Sequence, residues 1–165
     1  MKLKGHTHVY GDNIDTDRII PGKYTKTLDL SDLANHVLED LDPEFRTRVQ
    51  SGDIVVGGHN FGCGSSREQA PLALKAAGVS AVVARSFARI FFRNAINIGL
   101  PVIEVTDHDI KNNTEIEIDL TLGKIKCLKR EVTYQGTQMP DVMVNILNNG
   151  GLVNYLKKYK SYNFV

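Results

Sequence analysis

The amino-acid sequence predicts an α/β fold with a parallel βαβαβ core and an antiparallel annex formed by the strands after residue 105. Short apolar runs alternate with helical patterns over residues 53–105, and period-two alternation follows in residues 115–120. The chain has 165 residues, of which 42% are hydrophobic and 24% charged, as in soluble globular proteins. We therefore expect residues 1–165 to form one domain.

The region before the core is predicted to contain one strand, one loop and one helix. Residues 2–10 favour a strand, and residues 12–30 favour a loop rich in carboxylates and hydroxyls. Ser31 is a candidate N-cap for a helix that runs to Asp40, and Pro43 opens a short continuation.

The core is predicted as three buried strands joined by two helices. Ser86 is the candidate cap of the second helix, whose apolar residues, including Ile90, recur at helical spacing. The predicted strands are residues 53–58, 79–84 and 101–105, and the predicted helices are residues 67–77 and 87–98. This order is typical of a parallel sheet.

The region after the core is predicted to be a hairpin followed by a helical tail. Residues 115–120 and 125–128 form the two strands of the hairpin, separated by a turn. Residues 140–158 favour helix, with a break at residues 148–151, which include two glycines.

Charge and cysteine content exclude several classes of function. Twenty basic and 19 acidic residues give a net charge of +1, so we expect no nucleic-acid or membrane partner. No secretory signal or apolar stretch of membrane-spanning length is present in the sequence. Cys63 and Cys127 lie far apart and the five histidines lack ligand spacing, so we expect no metal site in this chain. A reducing, cytoplasmic location fits best.

The glycine-rich loop, residues 62–67, carries the clearest chemical signal. It lies between a predicted strand end and a helix N-terminus, where α/β proteins bind anions. Gly62 and Gly64 leave room for a ligand, and Arg67 offers a planar fork that matches a carboxylate. Ser65 and Ser66 add hydroxyls, so the loop suits binding and proton chemistry on a small carboxylic acid.

A structural interpretation of the same serines stays open. Ser65 and Ser66 each precede Glu68 or Gln69 by three residues, the spacing of a capping box. The loop lacks the spacing of a Walker or dinucleotide-binding motif, so nucleotide binding is not expected.

Five other positions are candidates for a functional role. Asp15 and Asp17 are candidates for a metal or acid–base pair, or for turn residues that bond their own backbone. Cys63 is a candidate nucleophile because a helix-entry loop stabilises a thiolate. Arg89 and Arg93 either form a solvated helix face or contact a partner's carboxylates.

Three long motifs occur in order along the chain. They are GDNIDTDRIIP at residues 11–21, NFGCGSSRE at residues 60–68 and SFARIFFRNAINIGLP at residues 86–101. Together they resemble the small-subunit family of 3-isopropylmalate dehydratase and homoaconitase, which corresponds to the mobile fourth domain of aconitase. The resemblance implies a swivelling β/β/α domain that closes over a large subunit.

The resemblance also implies a mechanism. In that family a four-iron four-sulfur cluster held by the large subunit acts as a Lewis acid, while this chain holds no cofactor of its own. Ser65 matches the serine whose alkoxide takes a proton next to a substrate carboxylate, and Asp17 matches an aspartate that orients a histidine of the large subunit. Ser66 and Arg67 match residues that hold the carboxylates of a small di- or tricarboxylic acid, with Gly64 beside them. We expect a heterodimer or heterotetramer.

Substrate choice is expected to depend on the variable loop, residues 22–30. Lys26 stands where homoaconitases carry an arginine, and Thr25 and Thr27 flank it. We take these three residues as candidate substrate-binding residues. Gln69 departs from the family's usual histidine, outside the hydroxyl and guanidinium groups.

Three functions follow from these observations. The first is isomerisation of 2- and 3-isopropylmalate in leucine biosynthesis. The second is the same chemistry on homoaconitate or a smaller substituted malate. The third is a non-catalytic module that binds small carboxylates.

Overall fold

Seven strands form one mixed sheet in the computed structural model, which describes residues 1–160. The strands are β1 (Lys2–Val9), β2 (Ile54–Val56), β3 (Ala81–Ala84), β4 (Val102–Glu104), β5 (Glu115–Asp119), β6 (Lys124–Cys127) and β7 (Val132–Gln135). Their order across the sheet is β4-β3-β2-β1-β5-β6-β7. The predicted α/β class, with a parallel core and an antiparallel annex, is confirmed. Residues 161–165 of the predicted domain lie outside the described part.

Seven α-helices and one 3₁₀ turn are present in the described chain. The helices are α1 (Thr16–Ile19), α2 (Leu30–His36), α3 (Phe45–Arg48), α4 (Gln69–Ala76), α5 (Arg89–Ile98), α6 (Asp141–Asn148) and α7 (Leu152–Tyr159), and the 3₁₀ turn is Gly22–Tyr24. No helix among residues 1–160 is both long and apolar enough to cross a membrane.

Strand β1 joins the two halves of the sheet. Its first part, Lys2 to His6, pairs antiparallel with β5, and its last part, Thr7 to Val9, pairs parallel with β2. The sequence predicts the strand, but its double pairing is a tertiary property that the local pattern does not contain.

The parallel half confirms the predicted βαβαβ unit. Strands β2, β3 and β4 pair in parallel, and α4 and α5 connect them. Every residue of β2 and β3 is fully buried, which explains why these strands are uniformly apolar instead of alternating.

The antiparallel annex contains one more strand than the sequence predicts. Strands β5 and β6 form the expected hairpin, and β7 pairs antiparallel with β6. Residues of β7 alternate between half-buried and exposed positions, so no long apolar run announces this edge strand. The tail confirms two helices, α6 and α7, separated where Gly150 and Gly151 adopt positive φ.

The predicted N-cap of α2 is wrong. Asp29, not Ser31, caps the helix, because its carboxylate accepts a hydrogen bond of 3.0 Å from the backbone N–H of Asp32. The helix ends at His36 instead of Asp40, since Leu38 takes a left-handed conformation with φ 56°. The continuation predicted at Pro43 is α3.

The predicted cap of α5 is also wrong. Its N-cap, Ala88, makes no side-chain capping bond, and the Ser86 hydroxyl accepts a hydrogen bond of 2.8 Å from the backbone N–H of Asn60. Phe91 is buried as expected, whereas Ile90 is 50% exposed. Ser86 therefore joins two loops and leaves the helix end uncapped.

Candidate functional site

Three loops meet where parallel strands β1, β2 and β3 end. Backbone hydrogen bonds join them: Gly58 N–H to Gly11 at 2.9 Å, Asn13 N–H to His59 at 2.8 Å and Phe61 N–H to Ser86 at 3.0 Å. This is the edge of a parallel sheet where ligands bind in α/β proteins. The glycine-rich loop belongs to the middle connection, between β2 and α4.

Two glycines shape the glycine-rich loop for different reasons. Gly62 has φ +79°, and a Cβ there would lie 2.1 Å from Cγ of Phe91. Gly64 has φ +97°, a backbone conformation that favours glycine. Gly62 therefore lets the loop pack on α5, and Gly64 lets it turn back toward α1.

Ser65 lies against Thr16, the first residue of α1. Their hydroxyl oxygens are 2.9 Å apart, and the Ser65 backbone N–H donates to Thr16 Oγ1 at 3.2 Å. Thr16 is 1% exposed, whereas Ser65 lies at the surface. An exposed residue, Ser65, therefore has its hydroxyl against a buried side chain.

Arg67 and Asp17 form an ion pair beside the serines. Nη1 of Arg67 donates to Oδ1 of Asp17, and the side chains are 28% and 64% exposed. A Cβ on Gly22 would lie 3.2 Å from Nη2 of Arg67, so the variable loop begins against the guanidinium. A small anion at this position would meet the guanidinium, and Ser65 and Ser66 precede Arg67 directly in the same loop.

The capping-box interpretation of the two serines is wrong. Helix α4 begins at Gln69, and its N-cap, Glu68, has helical φ and ψ angles and makes no side-chain capping bond. The Ser65 hydroxyl contacts Thr16 instead. Ser66 is exposed, and its carbonyl accepts a hydrogen bond of 3.3 Å from Asn94 Nδ2 on α5. Both hydroxyls remain available for another role.

The threonines of the variable loop bond to their own backbone. Thr25 Oγ1 donates to the carbonyl of Gly22 at 2.7 Å, and Thr27 Oγ1 accepts from the N–H of Asp29 at 3.0 Å. In this structure the two hydroxyls therefore stabilise the turn.

Lys26 is exposed at the tip of the same turn. Among residues 1–160, no carboxylate lies within 4.0 Å of its ammonium group. Gln69 Nε2 donates to the carbonyl of neighbouring Thr25 at 3.0 Å and so ties the variable loop to α4. The residue that departs from the family's histidine therefore positions the segment expected to select the substrate.

The remaining polar groups of the site do not form a metal centre. The carboxylate of Asp15 caps α1 by accepting from the N–H of Arg18 at 2.8 Å, which is the turn role considered for it. No set of three or more His, Cys, Asp or Glu side chains within residues 1–160 is placed to hold a metal ion. Burial, together with the charge of Asp15, raises the pKa of the Cys63 thiol.

Thr16, Asn94 and Gln69 are site residues that the sequence interpretation did not select. Asp15-Thr16-Asp17 stands out for its carboxylates, and the buried hydroxyl between them gives no local signal. Asn94 lies on a helix distant in sequence from the glycine-rich loop, and only the packing of α5 brings it near Ser66.

Arg89 and Arg93 are exposed on α5 and, within residues 1–160, have no carboxylate within 4.0 Å.

The fold and the loop arrangement define an aconitase-type domain. The family model described as the aconitase C-terminal domain matches residues 40–108. A 3-isopropylmalate dehydratase small subunit from Ruminiclostridium cellulolyticum is 53% identical over 159 residues, which cover 95% of this chain and 98% of that protein. One from Clostridium beijerinckii is 52% identical over 160 residues, covering 95% and 99%. The chain belongs to the 3-isopropylmalate dehydratase small-subunit family.

Solved structures agree with this assignment. The crystal structure of a 3-isopropylmalate dehydratase from Methanocaldococcus jannaschii is 48% identical, with a TM-score of 0.92, and the match covers 97% of this chain and 96% of that chain. A UPF0107 protein solved by NMR is 19% identical, with a TM-score of 0.53 over 77% of this chain and 91% of that chain, and shares the fold alone.

Proposed function

We propose that this chain is the small subunit of a hydro-lyase that isomerises 2-isopropylmalate and 3-isopropylmalate in leucine biosynthesis. The family membership and the full-length similarity to dehydratase small subunits support the reaction class. The observation that carries the proposal for the site is an exposed Ser65 hydroxyl, supported by Thr16, in the same short loop as the Arg67 guanidinium. We take residues 1–165 as one such domain.

Ser65 is proposed as the base. Its oxygen takes the proton from the carbon next to a substrate carboxylate, so a C–H bond breaks and the serine O–H bond forms. The released electron pair forms the C=C bond while the hydroxyl leaves the adjacent carbon as water, after gaining a proton from an acid on the large subunit. Rehydration reverses these steps with the hydroxyl on the other carbon. A positive charge on Arg67, two residues further along the same loop, would favour the anionic form of Ser65.

Arg67 and Ser66 are proposed to hold a substrate carboxylate, with Gly64 leaving room beside them. In this structure the carboxylate of Asp17 forms an ion pair with the guanidinium of Arg67. A substrate carboxylate that binds Arg67 as a two-pronged partner would therefore replace Asp17. Asp17 is then free to orient a histidine of the large subunit.

The cluster is assigned to the partner. This chain's donor groups do not fit a cluster, because Cys127 is buried within β6 and Cys63 lies in the glycine-rich loop after β2. We propose a cytoplasmic heterodimer or heterotetramer with the cluster-bearing subunit, in which the exposed Arg89 and Arg93 are available to partner carboxylates.

Substrate choice is proposed to reside in the variable loop. The loop starts against Arg67 and is tied to α4 by Gln69, so a substrate held by Arg67 would lie beside the start of this loop. Lys26, exposed and without a carboxylate partner in the described chain, favours an alternative substrate with an extra carboxylate, such as homoaconitate.

The test is an anaerobic hydratase assay with this chain alone and with the reconstituted large subunit. We expect turnover only in the mixture, with isopropylmalate preferred over homoaconitate and smaller substituted malates. Ser65→Ala should abolish turnover without preventing assembly, whereas Ser31→Ala, at an exposed serine that caps nothing, should leave it unchanged. Retained turnover in Ser65→Ala would contradict the assignment of the base.

Lys26→Ala decides between the two substrates. If homoaconitate is the substrate, the substitution should raise its KM and leave isopropylmalate turnover unaffected. No activity on any of these acids, with the cluster shown to be intact, would favour a module that binds carboxylates without catalysis.

A further inference from the structure

We infer that Thr16 is the positioning residue for Ser65. Its hydroxyl fixes the serine side chain and donates a hydrogen bond to the Ser65 oxygen once that oxygen has lost its proton. The inference rests on the proposed role of Ser65 as base. It gives a role to the buried Thr16 hydroxyl, which takes no part in the proposed mechanism above.

The hydrogen-bonding capacity of the Thr16 hydroxyl matches two arrangements. Thr16 Oγ1 lies 3.2 Å from the backbone nitrogen of Ser65, 2.9 Å from its Oγ and 3.4 Å from its carbonyl oxygen. A hydroxyl has one donor and two acceptor positions. While Ser65 is protonated, Thr16 accepts from both the N–H and the O–H of Ser65 and donates to its carbonyl.

Loss of the Ser65 proton reverses the hydrogen bond between the two hydroxyls and breaks the one to the Ser65 carbonyl. The Thr16 O–H leaves the Ser65 carbonyl oxygen, 3.4 Å away, and donates to Ser65 Oγ, 2.9 Å away. The backbone N–H of Ser65 continues to donate to Thr16. Thr16 keeps its own proton throughout, and the proton that leaves Ser65 passes to water, because Ser65 is exposed. A hydrogen bond to a charged oxygen is stronger than one to a neutral oxygen, so this change favours the anionic form.

Thr16 is rigid enough to serve this purpose. Its N–H donates to the carbonyl of Cys63 at 2.8 Å, and its own carbonyl accepts from the N–H of Ile20 at 3.0 Å. The side chain is β-branched and 1% exposed, so it has little freedom about χ1. Among residues 1–160, it is the one side chain within hydrogen-bonding distance of Ser65 Oγ.

The decisive variant is Thr16→Val in the reconstituted enzyme, since valine keeps the shape and removes the hydroxyl. We expect kcat to fall about 10- to 100-fold, the effect of losing one hydrogen bond to a charged group. The acid limb of the kcat–pH profile should move up by about one to two pH units, because the Ser65 oxygen then loses its proton less readily. KM should change little, because Thr16 is 1% exposed and offers almost no surface to a substrate.

Two further variants separate positioning from folding. Thr16→Ser keeps the hydroxyl and should restore most of kcat and the original pH profile. Thr133→Val, on the exposed face of β7, removes a threonine hydroxyl outside the site and should leave both unchanged. Equal loss in Thr16→Ser and Thr16→Val, or an unshifted pH profile in Thr16→Val, would overturn the inference.

The outcomes also distinguish this inference from the proposed function. If Ser65→Ala stays active, the role of the serine as base fails. If Ser65→Ala is inactive but Thr16→Val keeps its kcat and pH profile, the positioning role of Thr16 alone fails. In the double variant, Thr16→Val should add no further loss to that of Ser65→Ala, because the two residues act as one unit.

Discussion

Cys63 shares the glycine-rich loop with Ser65, but the two side chains are suited to different states. Burial raises the pKa of the Cys63 thiol, and the negative charge of Asp15 raises it further. A thiol with a raised pKa stays protonated at neutral pH and is a weak nucleophile. The structure therefore argues against the nucleophilic role that the helix-entry position suggests.

This difference predicts a mild phenotype for Cys63→Ser. We expect the variant to keep at least about half of the wild-type kcat, because the chemistry assigned to the loop does not pass through the thiol. Cys63 in the native protein should also react with iodoacetamide more slowly than free cysteine at pH 7.5. Peptide mapping by mass spectrometry measures the modification of Cys63 separately from that of buried Cys127. A large loss of turnover in a folded Cys63→Ser protein would contradict this interpretation.

The residue types in the glycine-rich loop predict an anion site from the sequence, but the contacts of those residues could not be predicted. Two serines and an arginine after a buried strand indicate an anion site because their functional groups are specific. The partners of these side chains, Thr16 and Asp17, begin helix α1 and precede them by 49 and 50 positions. No local pattern contains that separation, so the ion pair and the buried hydroxyl required the structure.

At the scale of elements, the packing of α5 against the glycine-rich loop sets the position of the serines. The rings of Phe61 and Phe91 meet edge to face with centroids 5.3 Å apart, and Phe87 lies beside both. Gly62 passes directly over Phe91. The backbone N–H of Gly62 donates to the carbonyl of Ile14 at 2.7 Å, so the same residue also connects α5 packing to the loop before α1.

Gly62→Ala should therefore be strongly destabilising. The new Cβ would lie 2.1 Å from the Phe91 ring, at a residue whose φ of +79° already disfavours a side chain. We expect the free energy of unfolding to fall by about 2–4 kcal/mol, from backbone strain and overpacking together. Gly11→Ala is the matched control, because nothing lies within 4 Å of its added Cβ. Urea denaturation of both variants measures the difference, and equal effects would show that the contact with Phe91 is not limiting.

Elements with strong periodicity were predictable, and helix ends were less so. The buried runs at β2 and β3 and the break in the helical tail have local causes, so the sequence indicates them correctly. Ser31 and Ser86 have the right chemistry for N-caps, yet Asp29 and the loop contact to Asn60 took precedence. Capping depends on where the chain turns, and tertiary packing decides that position.

At the scale of the whole molecule, two carboxylates stabilise regions that the sheet alone does not join. Burial raises the pKa of Asp42, but hydrogen bonds from Arg48 and Tyr10 outweigh it and lower the pKa overall. Asp42 thereby connects α3 to the end of β1, with the Tyr10 hydroxyl 2.7 Å from its Oδ2. Hydrogen bonds from Tyr134 and Arg130 hold the pKa of Asp109 at about 2 and connect the segment after β4 to β7.

His108 makes the stability of the fold depend on pH in a higher range than the two carboxylates do. Burial lowers its pKa, and the positive charge of Arg85 lowers it further. The backbone N–H of Ile110 donates to Nδ1 at 3.4 Å, which fits a neutral ring. The unfolded chain therefore binds a proton at His108 more readily than the folded chain does. The contribution of neutral His108 to stability is present above the pKa that this histidine has in the unfolded chain, and it is lost as the pH falls below that value.

These directions predict that acid weakens the protein in two separate ranges. Stability should begin to fall below about pH 6.5, where an unfolded histidine gains its proton. It should fall again below about pH 4, where carboxylates of the unfolded chain gain protons that the paired carboxylates of the native state do not yet bind. His108→Asn should remove the first decline and keep the second, whereas Asp109→Asn should weaken only the second. Urea denaturation at intervals from pH 7.5 to pH 3 measures the free energy of unfolding of all three proteins. If the free energy of unfolding of His108→Asn falls between about pH 6.5 and pH 5 as steeply as that of the wild type, the buried imidazole does not cause the first decline. If that of Asp109→Asn falls as steeply as the wild type below about pH 4, the Asp109 ion pair does not contribute to the second decline.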